Sequence, residues 1–177
     1  MVIYPLYFVV LASVSDPQYV NSGTPLLYPR GFTMMGYSRV FADNRIWIGY
    51  ANTLLYAGAG TLLAVAVQVM AGYALSRSDL PGRNIFMALF VFTMYFSGGT
   101  IPIYLNVKEF GMLDSMWSLI IPGLISTFNV IILKNFFSSL PYELVEAASI
   151  DGATDFQVLV RIFLPLSFSS LATLSLF

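Results

Sequence analysis

The sequence predicts an all-α fold, a polytopic transmembrane helical bundle with about five spans, and three observations predict it. Of 177 residues, 58% are hydrophobic and 10% are charged, whereas an ordinary soluble domain carries roughly 25% charged residues. The apolar residues come in long runs rather than in alternating or amphipathic patterns, and runs of this length are the mark of membrane helices. Short polar stretches rich in Pro and Gly separate the runs, where helices end and turns form.

The first run, Met1 to Val14, covers only about 21 Å as a helix, less than the ~30 Å hydrocarbon core. It reads as a first span cut at its N-terminus. A signal peptide fits less well, because the positive n-region and an Ala-x-Ala cleavage site are missing. Asp16 to Arg45 carries Pro17, Gly23, Pro25, Pro29, Gly31 and Gly36, and is expected to be a long loop outside the bilayer. The second span runs from about Trp47 to Leu75 with no charged residue, longer than a perpendicular crossing needs. Ser76 to Asn84 closes it as a polar turn.

A third span is expected from Ile85 to about Leu105, interrupted by Ser97, Gly98, Gly99 and Pro102, where helical hydrogen bonds lose their partners. The fourth covers Ser115 to about Phe137, with a kink at Pro122-Gly123. After a polar segment, Ser138 to Arg161, the last apolar run is Ile162 to Phe177, about 24 Å if helical. It too is expected to be incomplete. Trp47, Tyr50, Tyr104 and Trp117 fall near span ends, where amphipathic rings anchor at the membrane interface; this reading is preferred to sugar-stacking platforms. Basic residues divide evenly, Arg77, Arg83, Lys134 and Arg161 on one side and Arg30, Arg39, Arg45 and Lys108 on the other. Discounting the long loop favours the Arg77 side as cytoplasmic.

Composition removes several function classes. A net charge of −1 with no basic stripe gives nothing to neutralise phosphates of a nucleic acid. There is no Cys and no His, so disulfides, thiolate chemistry and the commonest general base and metal ligand are missing. Neither an H-E-x-x-H nor a G-x-S-x-G pattern occurs, and neither Lys108 nor Lys134 follows a Gly as a P-loop lysine must. No ionisable residue lies inside the uninterrupted apolar runs, which counts against an ion-coupled secondary transporter. An enzyme, or an ATPase in its own right, is not expected.

Between the fourth and fifth spans the residues from Ser139 to Asp155 read as a short helix, a tight turn and a second helix. Pro141 suits a first helical turn, and Glu143 lies near the positive end of the helix dipole. Gly152 can take the left-handed conformation that ends a helix. Thr154 with Gln157 three residues later forms a capping-box pattern. Ala147 and Ala148 are expected to leave a low ridge open to another protein, with Glu146 supplying a charge. An ordinary surface helix in a connecting loop remains the alternative reading.

Glu146-Ala147-Ala148, then Gly152, then Ile162 and Leu164-Pro165 resemble the EAA motif of permease subunits of binding-protein-dependent ABC importers. The segments Ala71 to Arg77, Asp79 to Arg83, Ser97 to Pro102 and Gly111 to Asp114 resemble the LplC-like branch of the carbohydrate, maltose-type group. The resemblance covers nearly the whole chain. It implies a type I importer permease, one transmembrane domain over residues 1–177, in the bacterial cytoplasmic membrane. Residues 138–161 would be a cytoplasmic loop in which Glu146, Ala147, Ala148, Asp151 and Gly152 couple to a separate ATPase. The implied partners are two ATPase copies that bind ATP, a second homologous permease and an extracytoplasmic solute-binding protein. The solute would be a sugar or oligosaccharide, with a non-sugar solute as the alternative. The family has six spans, so a chain ending inside the fifth is expected to be part of a longer protein.

Two amides are candidates for the solute path. Ala57, Gly60, Thr61, Ala64, Gln68 and Ala71 form a stripe of small residues around one amide, which suits either close helix packing or a path lined by Gln68. Asn129 in the fourth span presents the same choice.

Overall fold

The computed structural model describes residues 3–22 and 27–176. Met1, Gly23, Pro25 and Phe177, which the sequence places in the first run, the long loop and the last run, lie outside the described residues. No strand occurs among the described residues. The chain forms two compact units, residues 1–55 and 56–177.

The first unit holds α1 (Ile3–Ser13), α2 (Pro17–Asn21), α3 (Met35–Ala42) and the start of α4 (Asn44–Ser76). The expected long loop is therefore partly helical. Asp16 caps α2 by accepting from the Gln18 N–H at 2.9 Å, and Pro17 stands in the first turn, where its missing N–H costs nothing. Two backbone bonds close the loop on the end of α1, Asp16 N to Arg30 O and Thr33 N to Val14 O, both 3.0 Å. The Ser15 hydroxyl donates to Leu11 O at 2.6 Å and accepts from the Arg30 N–H at 3.3 Å. The loop's backbone groups are thus satisfied within the protein.

The second unit begins within α4, which has 33 residues and is about 50 Å long. Then come α5 (Arg83–Tyr95), α6 (Thr100–Glu109), α7 (Trp117–Ile120) with a 3₁₀ turn (Ile121–Gly123), and α8 (Thr127–Ser138). After these lie α9 (Glu143–Ile150), α10 (Asp155–Val158), a π turn (Leu159–Phe163), α11 (Leu164–Leu166) and α12 (Phe168–Leu174). Each of the five apolar runs has a helical counterpart. Among the described residues α4 alone is long and apolar enough to cross a membrane, and three bent helix pairs raise the number to as many as four. Only 11% of the apolar window of α4 is buried, and Leu54, Leu62, Ile85, Tyr95 and Ile101 are among many large apolar side chains left exposed. So much exposed apolar surface suits lipid and not water.

Two of the breaks differ from their expected positions. The third run bends by 116° between α5 and α6, at Phe96 to Gly99, where Gly99 has φ +82°. Pro102, expected to interrupt the run, lies instead in the first turn of α6, where proline is tolerated. The fourth run bends by 48° across Leu124 to Ser126, just beyond Pro122-Gly123. The last run is not one helix: it bends by 81° between Leu166 and Phe168. Pro165 cannot donate to a helical carbonyl, the turn widens so that Leu164 N–H bonds Leu159 O, and the buried Ser167 hydroxyl donates to Phe163 O at 2.6 Å.

The core of this unit is Val69 and Tyr73 of α4, Leu133 and Phe137 of α8, Val145 and Ala148 of α9, and Val158, Leu159, Phe163 and Leu174 beyond. Tyr73 meets Phe163 and Phe137 edge-on, with ring centroids 5.0 and 6.4 Å apart, the geometry aromatic quadrupoles favour. At Gly72 the α4 backbone lies against α8: an added Cβ would stand 2.8 Å from Leu133 Cβ and 3.3 Å from Lys134 N.

Candidate functional site

The segment from Pro141 to Asp155 is built as the sequence suggests, with one shift at its start. Tyr142, not Pro141, is the N-cap of α9. Pro141 precedes it and accepts through its carbonyl from the Leu144 N–H at 3.3 Å. Glu143 and Glu146 both fall in the first turn, where the helix dipole favours carboxylates. Asp151 is the C-cap and Gly152 follows with φ +78°. Gly152 N–H bonds Ser149 O at 3.1 Å and Ala153 N–H bonds Ala148 O at 2.9 Å, the pair of bonds that defines a Schellman turn. Thr154 N–H then donates to Gln157 Oε1 at 2.9 Å and Gln157 N–H to Thr154 Oγ1 at 3.4 Å. That reciprocal capping box opens α10. Seven residues of turn and cap therefore set the angle between α9 and α10.

The two alanines do different things. Ala148 is 9% exposed and packs with Val145 in the core, so the expected ridge of two open alanines is reduced to Ala147. Positions 145 and 148 share the inward face of the helix, and a small side chain there lets α9 sit close to the layer beneath. Glu143, Glu146, Ala147 and Ile150 are exposed and recur at helical spacing on the outward face. Ile150 is 86% exposed; sequence reading missed it, although its position seven residues after Glu143 places it on the same stripe.

Arg77 was also missed. It follows the last residue of α4, and its Nε and Nη2 donate to the two Asp79 carboxylate oxygens at 3.1 and 3.0 Å, a bidentate geometry. Nη2 also lies 3.7 Å from Asp155 Oδ1, at the start of α10, and the guanidinium carbon is 5.8 Å from the centre of the Tyr142 ring. One side chain, 14% exposed, thus touches residues at both ends of the α9 segment. Burial disfavours its charge, but the hydrogen bond from Asp79 outweighs that with help from Tyr73 and Asp155, so its proton is held more tightly than usual. The hydrogen bond from Arg77 holds the Asp79 carboxyl below its usual range. No sequence spacing links positions 77, 142 and 155, which is why the cluster is invisible before folding.

Gln68 and Asn129 line one cavity of about 530 Å³, together with Ala57, Gly60, Thr61 and Ala64. The expected stripe is real except at Ala71, which is not in the lining; its close contact with α8 is made instead by Gly72. Gln68 is 4% exposed, and its Nε2 donates to Leu124 O at 2.9 Å. That carbonyl stands in the break between the 3₁₀ turn and α8, so Gln68 satisfies a group freed by the bend. Asn129 is half-buried, its backbone N–H is capped by Ser126 Oγ at 3.5 Å, and its amide has no hydrogen-bond partner among the described residues. Gln68 is thus held by packing, while Asn129 presents an uncommitted amide.

Comparison with known proteins places this architecture. The chain is 42% identical over 175 residues to the polygalacturonan/rhamnogalacturonan transport system permease protein YtcP of Bacillus subtilis, covering 99% of this chain and 61% of that protein. It is 37% identical to Protein LplC of the same organism, over 99% of this chain and 59% of that protein. A crystal structure of a bacterial ABC transporter involved in the import of the acidic polysaccharide alginate matches with a TM-score of 0.89 and 35% identity, over 99% of this chain and 62% of that one. The chain therefore spans about three-fifths of the length of these relatives. Residues 60–177, more than half of the chain and all of the α9 segment, match the family model of the binding-protein-dependent transport system inner membrane component. The bent apolar helices, the capped α9 segment and this match together show that the chain belongs to that family.

Proposed function

We propose that this chain is a multi-pass part of an ABC importer permease that helps to form the path for a sugar or oligosaccharide. Residues 1–177 act as one permease domain, with residues 138–161 as its cytoplasmic coupling loop. The outward stripe Glu143, Glu146, Ala147 and Ile150 carries this reading. It is a partly apolar face on a helix whose angle is set by a Schellman turn and a capping box. Such a face, left exposed outside the spans, suits a cleft on a separate ATPase. Closure of two ATPase copies around ATP would move α9 as a rigid body and tilt the apolar helices joined to it. A second homologous permease completes the path, and an extracytoplasmic binding protein delivers the solute. ATP is bound and hydrolysed by the partner, not by this chain.

The carbohydrate assignment draws on the relatives, whose names specify polygalacturonan/rhamnogalacturonan and alginate. Ala147→Arg tests the docking surface, because it adds bulk and charge on an exposed face without touching the core. The expected result is normal membrane insertion with loss of ATPase co-purification and of solute-stimulated ATP hydrolysis. Normal values for both would refute docking through α9. Uptake of labelled oligosaccharides by a deletion strain, with and without the complete gene, tests the solute class; sugar uptake that is unchanged by deletion would count against it.

A further inference from the structure

A second cavity, of about 290 Å³, opens where α4 ends, α5 begins and α8 ends. Its polar wall includes Arg77, Arg83, Ser78 and Ser138, and its floor includes Phe137 and Phe163. No Asp or Glu is among its lining residues. The Arg77 edge that faces Asp79 is occupied, but its Nη1 is buried without a hydrogen-bond partner. Arg83 is half-buried and makes no ion pair among the described residues. Asp79 and Asp155 line a different cavity with Tyr73 and Arg77, so Arg77 is the partition between an acidic chamber and a basic one. A desolvated guanidinium with an unused N–H is unfavourable unless a negative group completes it.

We infer that this basic chamber is an anion site that takes a phosphate group, supplied by the headgroup of an anionic phospholipid. Arg83 and the free Nη1 of Arg77 offer charge-assisted donors to phosphate oxygens, and the Ser78 and Ser138 hydroxyls add neutral ones. The position decides the source. The ends of three apolar helices meet at the chamber, the level at which headgroups lie, and basic pockets between membrane helices are suited to anionic headgroups. The phenylalanine floor offers apolar surface to the glycerol and upper acyl carbons that follow the phosphate. The site rests on membrane residence alone and is independent of the docking of α9.

The test uses the complete transporter in phosphatidylcholine nanodiscs, with a short-chain phosphatidylglycerol added below its micelle concentration. Native mass spectrometry and the melting temperature read binding. A parallel arm adds inorganic phosphate alone. Phosphatidylglycerol is expected to bind and to raise the melting temperature where added phosphatidylcholine does not. Arg83→Gln is expected to weaken that binding about tenfold, the worth of one charge-assisted hydrogen bond. Arg83→Lys should keep part of the affinity, Ser78→Ala should lose less than Arg83→Gln, and Arg45→Gln, elsewhere on the chain, should change nothing. An equal response to inorganic phosphate that is also lost in Arg83→Gln would keep the anion site but replace the lipid as its source. The inference is overturned if the wild type prefers neither phosphatidylglycerol nor phosphate, or if Arg83→Gln loses no more than Arg45→Gln. Because Ala147→Arg leaves this chamber intact, its outcome and this one are read separately.

Discussion

Replacing Gly152 isolates the turn after α9 from everything around it. An added Cβ meets no atom within 4 Å, so substitution has no steric cost from neighbours. What remains is the backbone at φ +78°. Alanine there costs ~1–2 kcal/mol, enough to lower the population of the set turn by roughly 5- to 30-fold. Asparagine, which tolerates the left-handed region, should cost less. Proline should cost most, for three reasons. Its ring fixes φ near −65°; it removes the N–H that bonds Ser149 O at 3.1 Å, worth about 1 kcal/mol net; and it disfavours the near-helical conformation of Asp151 (φ −74°, ψ 0°). The apolar helices are untouched, so insertion should be normal throughout. In the complete permease with its partners, ATPase co-purification and solute-stimulated hydrolysis should fall in the order Gly, Asn, Ala, Pro. Full activity of Gly152→Pro at normal expression, or an order unrelated to left-handed propensity, would show that the angle of α9 has no part in coupling.

Four further outcomes are expected. Gly72→Ala forces a carbon to 2.8 Å from Leu133 Cβ and should destabilise the α4–α8 contact by ~1–3 kcal/mol, seen as earlier loss of the folded species on heating in detergent; an unchanged melting curve would mean the helices part freely. Tyr73→Phe removes a buried hydroxyl that has no partner and should be neutral or stabilising by about 1 kcal/mol, whereas a large loss of stability would reveal a hydrogen bond. Replacing both Thr154 and Gln157 by Ala removes the capping box and should cost about 1–2 kcal/mol, measured by faster proteolysis between α9 and α10. Acid should reveal the Arg77–Asp79 pair: because the folded Asp79 carboxyl is depressed, its contribution is present above its ordinary value of about 3.9 and is lost as pH falls below it. The acid limb of melting temperature against pH should therefore flatten in Arg77→Gln, and identical limbs would exclude the pair as a source of stability.

Much of this was legible because it is local. Apolar runs mark the helices in lipid, and the Thr154–Gln157 box and the Gly152 turn are read three or four residues at a time, within the range over which backbone bonding operates. The misreadings are of another kind. Which alanine faces inward depends on what lies beneath α9, and Phe137, Val158 and Phe163 are distant in sequence. Gly72, rather than Ala71, marks the closest approach of α4 because α8 chooses the line of contact. The break at Ser167 was hidden in an unbroken apolar run, since Pro165 and one hydroxyl suffice to redirect a helix without changing its hydropathy. Arg77 joins residues 65 and 78 positions away, which no pattern within one helix can report.

The π turn at Leu159–Phe163 has a consequence for the register of everything after it. A turn closed by a bond from Leu164 N–H to Leu159 O houses one residue more than an α-turn would. Removing any one of those five residues would leave a regular helix that still ends at the same sequence, but each later side chain would swing by about 100° around the axis. Leu174, now in the core, would rotate toward lipid, and a polar neighbour such as Thr173 or Ser175 would turn inward. Upstream, the coupling segment would be left as it is. A single deletion here would thus re-address the chain beyond α10 while preserving the element that meets the ATPase, which makes this stretch a place where the lining of a transport path can diverge independently of its drive.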